Sequence, residues 1–431
     1  MQASTPTPLT KRTPAVCLGC TLCCDDVALS LTNRELQFSE QFCEQGAEWF
    51  RRQAAAEEAT SAVGMQIAGR VATRSAAIRA AAELIRDSRS PLIVGLGWRS
   101  LAEQQALMNL ALQTRALIDV DWRQPEAGNL AAFQHTGRVT ATLGQVAVQA
   151  SLHLLIEAAP ERTHPRLYER LGWDQQSGWR FRTRTLEVGR ELAAGTPARA
   201  EVICDDALAL NDLIWWLRAF ARGLEDPGRQ CPPQWQQSLE QFLADVRTAR
   251  GVAVIGGSEL GKHPELTLQV HQLVRELNEL CKTWLLLTAA DGNTAGAESV
   301  LTWSAGFPRS IDLRSGHAEW NRTEFSAAEL LARQEPDLVL CCLAADDASA
   351  WEKLTSEVRA RLLKLPRIVF YSGEHPLVTG AEVAIPIAQV GWDSSGDVVR
   401  MDELTLTAPQ LVEGKRAGLE ELLRELLKEL R

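Results

Sequence analysis

The sequence predicts an α/β protein that carries a small cysteine-bearing β module at its N-terminus. Short apolar runs alternate with amphipathic helical patterns over most of the chain, which is the signature of strands alternating with crossover helices. Cys17, Cys20, Cys23 and Cys24 crowd together near the start, with Cys43 following. With 431 residues and 45% hydrophobic content, the chain can bury more than one ordinary core and is expected to hold two or three domains.

The N-terminal stretch Cys17-Leu18-Gly19-Cys20-Thr21-Leu22-Cys23-Cys24-Asp25-Asp26 is where the chemistry concentrates. After it Val27, Leu29 and Leu31 alternate with polar residues, as do Leu36 and Phe38, around the polar turn Thr32-Asn33-Arg34-Glu35. That pattern predicts a β-hairpin, which would return Cys43 to the side of Cys17 to Cys24. Four thiolates brought together in this way suit tetrahedral zinc or an iron–sulfur cluster. The alternative is that the thiols pack as small apolar side chains.

Buried parallel strands are expected at 92–96, 117–120, 153–157, 201–204, 252–255, 284–288, 337–343, 368–371 and 383–387. Amphipathic helices are expected at 75–87, 101–114, 206–222, 238–250, 264–280 and 350–363. Residues 223–233 read as a linker between elements. The tail from Gly418 places Leu419, Leu422, Leu423, Leu426, Leu427 and Leu430 on one stripe, which needs a partner surface, in the first instance the parent fold.

Composition excludes several classes. The net charge of −10 and the scattered Lys and Arg give no footprint for nucleic acid or an anionic membrane. No run approaches the roughly 18 apolar residues of a membrane span, and no apolar leader is visible, so a cytoplasmic location is expected. In that setting ten cysteines point to metal ligands and buried thiols rather than a disulfide framework.

Three glycine-rich stretches are candidate ligand loops. Gly256-Gly257-Ser258-Glu259-Leu260-Gly261-Lys262-His263 nearly matches a nucleotide-binding P-loop, but His263 stands where a hydroxyl must hold Mg²⁺. There remains a glycine turn at a helix N-terminus, which can hold a phosphate or carboxylate or serve only as a tight turn before Pro264. Gly95-Leu96-Gly97-Trp98 invites the same two readings. Residues 292–308, glycine-punctuated and sparse in charge, read as a loop lining a cleft.

The spacing C-x2-C-x3-C-x18-C, with Asp25 and Asp26 after the third cysteine, resembles the start of molybdopterin oxidoreductases, above all the B subunit of formylmethanofuran dehydrogenase. The run Asn293 to Ala297, Val300-Leu301-Thr302-Trp303, Gly306-Phe307-Pro308, with Asp312 and Gly316 beyond it, is similar to a stretch of the same family. So are Thr142-Leu143-Gly144 and Arg400-Met401-Asp402. The resemblance spans Cys17 to Asp402. It implies Rossmann-like doubly wound domains of the molybdopterin oxidoreductase type: a Cys-bearing domain at 1–55, a discontinuous Rossmann-like domain at 56–135 and 320–395, an inserted α/β domain at 136–319, and a tail at 396–431.

The same resemblance implies a [4Fe-4S] cluster on Cys17, Cys20, Cys24 and Cys43, with Cys23 a bystander. Redox members of the family also hold tungsten or molybdenum through a cysteine or selenocysteine, since a soft thiolate suits that metal. Here Pro125 stands near the expected ligand position, followed by Glu126, and no cysteine occurs between Cys43 and Cys204. No catalytic residue and no bound molybdopterin are therefore expected. The relatives in aerobic one-carbon bacteria suggest a non-redox scaffolding and cofactor-binding subunit of a formyltransferase/hydrolase complex in tetrahydromethanopterin-linked oxidation of formaldehyde to formate. Its implied partners are an amidohydrolase-like A subunit, a C subunit and a formyltransferase subunit. Many large aromatic residues, 13 Trp against 2 Tyr, are compatible with such an assembly. The anionic tail of a methanofuran-type cofactor would be held by Gly256, Gly257, Gly261, Lys262, Gly292, Asn293, Gly296, Arg309 and Arg314. The alternatives are an active tungsten or molybdenum formylmethanofuran dehydrogenase subunit and, outside the family, a stand-alone zinc protein.

Overall fold

A computed structural model describes residues 9–32, 35–122, 132, 135–173, 177–183, 200–224, 230–257, 260–261, 263–288, 292–321 and 323–431. The chain forms two compact units. Unit one comprises Met1–Pro125, Asp291–Arg400 and Thr405–Arg431; unit two comprises Glu126–Ala290 and Met401–Leu404.

Unit one opens with a three-stranded antiparallel sheet, Leu9–Ala15, Val27–Thr32 and Glu35–Phe38. The last two form the expected hairpin, with Leu29 opposite Phe38 and Thr32 opposite Glu35. The first strand was not anticipated, because its only apolar members, Leu9, Pro14 and Ala15, show no period. The helix Glu44–Thr60 follows and buries Trp49 and Phe50.

The main sheet of unit one has nine strands. Five parallel ones lie in the spatial order Leu117–Ile118, Pro91–Val94, Leu338–Leu343, Arg367–Tyr371, Val383–Pro386, with short antiparallel strands at both ends. Numbered along the chain these five read 2-1-3-4-5, a doubly wound order that reverses between Pro91–Val94 and Leu338–Leu343. Successive residues of each strand enter different cores. Ile93, Leu340, Cys342, Ile368 and Phe370 pack with the helices Arg74–Asp87, Leu101–Thr114, Thr294–Ala305 and Leu419–Glu429. Leu92, Val94, Val339, Cys341, Val369 and Tyr371 pack with Ala327–Ala332 and Ser356–Lys364 on the other face. Burial on both faces is why these strands read as unbroken apolar runs. The leucine stripe of the tail finds its partner in the parent fold: Leu419, Leu422, Leu423 and Leu426 are buried in the first of these cores.

Unit two contains a five-stranded, all-parallel sheet in the order Ala200–Cys204, Gly178–Thr183, Leu152–Ile156, Val252–Gly256, Thr283–Leu287. Numbered along the chain this is 3-2-1-4-5, again doubly wound. Trp179 and Phe181 enter its core with residues of the helices Ala207–Ala221, Pro233–Thr248 and Pro264–Leu277.

All nine expected strands are present within a residue or two, while two expected helices and one expected loop need correction. The helix expected at 350–363 is two, Ala348–Glu352 and Ser356–Lys364, because the Thr355 hydroxyl accepts the Val358 N–H and starts a second helix. The helix expected from Ser238 begins at Pro233, with proline in the first turn. The cleft-lining loop at 292–308 is mostly the helix Thr294–Ala305, whose Ala297, Val300 and Leu301 are buried. The segment 291–319, expected in the inserted domain, belongs to unit one, where Ile311–Asp312 pairs with Leu117–Ile118.

Candidate functional site

The cysteine loop is built by its own backbone. The Cys17 N–H donates to the Cys24 carbonyl (3.0 Å) and the Cys23 N–H to the Cys20 carbonyl (3.2 Å), which folds the loop back on itself. Cys43 caps the following helix, its Sγ accepting the Gly46 N–H at 3.4 Å, while Cys17 Sγ accepts the Gly19 N–H at the same distance. A side chain at Gly46 would put its Cβ 3.0 Å from Cys17 Sγ and 3.6 Å from Cys43 Sγ, so glycine keeps open the gap between these two thiols. Burial pushes the Cys17 thiol well above its ordinary range; its Gly19 hydrogen bond opposes this, and Cys20, Cys24 and Cys43 push it further up. The hairpin thus brings Cys43 to the side of Cys17, and Cys20, Cys24 and Cys43 each act electrostatically on Cys17. Cys23 points elsewhere, its Sγ toward the Cys20 carbonyl, with φ at +40°. Among the described residues no group of three or more His, Cys, Asp or Glu is close enough to hold a single metal ion.

The second place of interest is the point in unit one where the strand order reverses, because open doubly wound sheets bind ligands at the carboxyl ends of such strands. Gly95, at φ +92°, is indispensable there: a Cβ would lie 2.1 Å from the Cys342 carbonyl oxygen. The chain's own side chains occupy this crevice. Arg99, with no exposed surface, donates from Nη2 to Gln389 Oε1 (3.0 Å) and Ser372 Oγ (3.5 Å). Gln104 donates to the carbonyls of Leu96, Arg99 and Asn293. Above them Arg52 and Gln53, from the helix Glu44–Thr60, hold both oxygens of Asp346 at 2.8 Å. Arg99 Nε and Nη1, Gln104 Oε1 and Gln53 Oε1 are nonetheless buried without a hydrogen-bond partner among the described residues.

Asn293 and its glycines belong to the same core. Asn293 Nδ2 donates to the Arg99 carbonyl and Oδ1 accepts the Val399 N–H, both at 2.8 Å, and its own N–H goes to the Gly97 carbonyl at 2.6 Å. A Cβ on Gly296 would stand 2.3 Å from Asn293 Oδ1, and one on Gly292 2.7 Å from the Gly97 oxygen. These residues, expected to bind a cofactor, pin the start of a helix to a loop. Arg309 is buried and pairs with Glu298 at 3.2 Å beside Asp119. Burial raises the Asp119 carboxyl to about 6 despite that cation. Arg314 makes a bidentate pair with Asp312 and reaches Glu335.

In unit two Gly257 lies against Glu157, where a Cβ would meet the carbonyl oxygen at 1.7 Å, and its N–H donates to Ile156. Gly256 ends its strand beneath Leu260 and Leu287, and Gly261 is buried. Thus the N–H of Gly257 is already spent. Lys262 and Pro125 lie outside the described residues. Two motifs matched from the sequence meet here: Asp402 Oδ2 accepts the Leu143 N–H at 2.7 Å and so caps the helix Leu143–Gln149. The residues missed from the sequence are Arg99, Gln104, Ser372 and Gln389, isolated polar positions with no motif of their own.

No protein-family profile matches the chain. Among curated proteins it is similar to the B subunit of the tungsten-containing formylmethanofuran dehydrogenase 2 of Methanocaldococcus jannaschii, at 26% identity over 82% of this chain and 81% of that one. The protein of the same name from Methanococcus maripaludis is 22% identical over 96% of this chain and 98% of its own. The chain is a homologue of the formylmethanofuran dehydrogenase B subunit. Among solved structures, this B-subunit homologue resembles a chain of the formyltransferase/hydrolase complex from Methylorubrum extorquens in complex with methylofuran, with a TM-score of 0.67 and 19% identity over 85% of this chain and 98% of that one. It also resembles acetylene hydratase from Pelobacter acetylenicus, with a TM-score of 0.53 and 9% identity, covering 97% of this chain and 69% of that one. Both likenesses fix the fold as that of molybdopterin oxidoreductases. Among the described residues no helix is long and apolar enough to cross a membrane.

Proposed function

We propose that this B-subunit homologue is a non-redox supporting subunit of a formyltransferase/hydrolase complex in tetrahydromethanopterin-linked conversion of formaldehyde to formate. It would work in the cytoplasm beside an amidohydrolase-like A subunit, a C subunit and a formyltransferase subunit, and meet a methanofuran-type cofactor through that complex. One observation carries the reading. A fold shared with nearly all of a chain from such a complex comes with no cysteine between Cys43 and Cys204 to hold tungsten or molybdenum.

The four gathered thiols fit a [4Fe-4S] cluster, which supplies one-electron chemistry when bound. Cys17, Cys20, Cys24 and Cys43 would hold it, the Gly19 and Gly46 N–H groups stabilising two of the sulfurs. The tungsten enzyme remains the second reading, because both curated relatives are named for that metal. Affinity purification from the native organism under anaerobic conditions, with metal and pterin analysis, separates them. The expected result is co-purification of amidohydrolase-like, C-type and formyltransferase subunits, with iron but neither tungsten nor pterin. Stoichiometric tungsten or molybdenum with pterin, and formate oxidation to a viologen dye, would establish the second reading instead.

A further inference from the structure

We propose that unit two binds a small aromatic anion in a cleft between the helices Ala207–Ala221 and Pro233–Thr248, with Arg247 as its counter-charge. This is a binding function separate from the supporting role above. The cleft has a volume of about 820 Å³, and its described walls all belong to unit two. One wall is a stripe of the helix Pro233–Thr248: Gln236, Glu240, Leu243 and Arg247 recur at helical spacing and so share one face. The other wall is Trp216 and Phe220, one turn apart on Ala207–Ala221, with ring centroids 5.7 Å from each other. Leu224 and Cys231 line the end where the two helices are joined.

The stripe from Gln236 to Arg247 runs about 16 Å along its helix, so the cleft is long rather than round. At this volume it suits an organic molecule of several rings better than a single ion. The apolar surface of Trp216, Phe220 and Leu243 favours a ring system. The polar groups decide its charge. Glu240 is already engaged, accepting a hydrogen bond from Gln236 Nε2 at 2.9 Å. Arg247 is exposed, and among the described residues its guanidinium makes no ion pair and no hydrogen bond. Trp216 is 1% exposed, and its indole N–H is buried without an acceptor among the described residues. Donors in want of acceptors select a ligand that brings acceptors, and a permanent guanidinium charge selects an anion. A single negative charge fits best, because the Glu240 carboxylate on the same wall repels a second.

The test uses the full chain and two dyes, 8-anilinonaphthalene-1-sulfonate, an aromatic anion of one charge, and N-phenyl-1-naphthylamine, its neutral counterpart. Fluorescence titration should show saturable binding of the sulfonate. R247Q should weaken it about tenfold, the loss of one charge-assisted contact. R250Q, on an exposed arginine outside the cleft, should leave it unchanged. The neutral dye should bind the parent and R247Q alike. Location is read by alkylation with iodoacetamide and peptide mass spectrometry, at alkaline pH because burial raises both thiols concerned. The sulfonate should shield Cys231 and spare no protection to Cys281, which is also half-buried but does not line the cleft. Saturable binding that leaves Cys231 unshielded puts the dye elsewhere and overturns the site. Shielding with equal affinity in the parent and R247Q overturns the preference for an anion. A parent chain that binds neither dye saturably overturns both.

Discussion

Asn293→Ala separates a residue that binds a ligand from one that holds the fold. The side chain is 1% exposed and makes two hydrogen bonds of 2.8 Å, to the Val399 N–H and the Arg99 carbonyl. Alanine leaves a buried donor and a buried acceptor without partners, at about 1–3 kcal/mol each, so unit one should lose about 2–6 kcal/mol. At about 2–4 °C per kcal/mol for a body of this size, its melting transition should fall by roughly 4–24 °C. Because the chain has two units, calorimetry with separately fitted transitions is the appropriate assay. Gly296 supplies an internal control, since the atoms its Cβ would strike first are those of the Asn293 side chain, the nearest at 2.3 Å. Gly296→Ala should therefore be severe in the parent and much milder in the Asn293→Ala background, a coupling that a double-mutant cycle measures. A melting transition within about 2 °C of the parent, or additive effects of the two substitutions, would refute the reasoning and make Asn293 a ligand contact after all.

Acid should unfold the chain through its buried histidines. His375 is buried and held neutral, with its pKa lowered by burial to about 4, and His164 and His271 are lowered to about 4 in the same way. Between the unfolded value near 6.5 and about 4, the unfolded chain takes up protons that the folded chain refuses, so stability falls as pH falls through that window, by at most about 3 kcal/mol per histidine. His375→Asn should flatten part of this slope in urea midpoints taken from pH 7 to pH 4.5, and an unchanged slope would count against it. Gly257→Ala should cost unit two more than about 4 kcal/mol and abolish soluble expression, because its Cβ would overlap the Glu157 carbonyl. Gly144→Ala, in a helical first turn with nothing within 4 Å, should instead stabilise by about 0.5–1 kcal/mol, read as a raised melting temperature.

What the sequence revealed depended on how locally each feature is determined. Pro91–Val94, Leu338–Leu343 and Arg367–Tyr371 were legible because two-sided burial leaves little choice but apolar residues. The strand Gly178–Thr183 was missed because Arg180 and Arg182 interrupt it. Arg180 is nonetheless buried, on the side of Tyr168 and Glu161, while Trp179 and Phe181 face the core. The helix Thr294–Ala305 was read as a loop because it is short of charge and carries Gly296 in its first turn; that glycine is required by Asn293 and says nothing against a helix. The cysteine loop was legible since spacing and hairpin suffice to gather it. The crevice was not. A glycine records that something comes close to the backbone, and sequence alone does not distinguish a phosphate from the chain's own carbonyl, which is what Gly95, Gly257 and Gly292 all meet.

The split order of unit one has a consequence for how the protein is made. The strands Pro91–Val94 and Leu338–Leu343 are neighbours in the sheet, yet all of unit two up to Ala290 is synthesised between them. As the ribosome adds residues in order, the five-stranded sheet of unit two can close while the first half of unit one still lacks its central strand. Unit one must then wait longer, because the core beneath Ile93 is not sealed until Leu419, Leu422, Leu423 and Leu426 emerge. During that interval the apolar faces of Arg74–Asp87 and Leu101–Thr114 stand uncovered. Their protection is thus a matter of translation speed and chaperone supply, and truncating the last helix should send the nascent chain to inclusion bodies with unit two already folded.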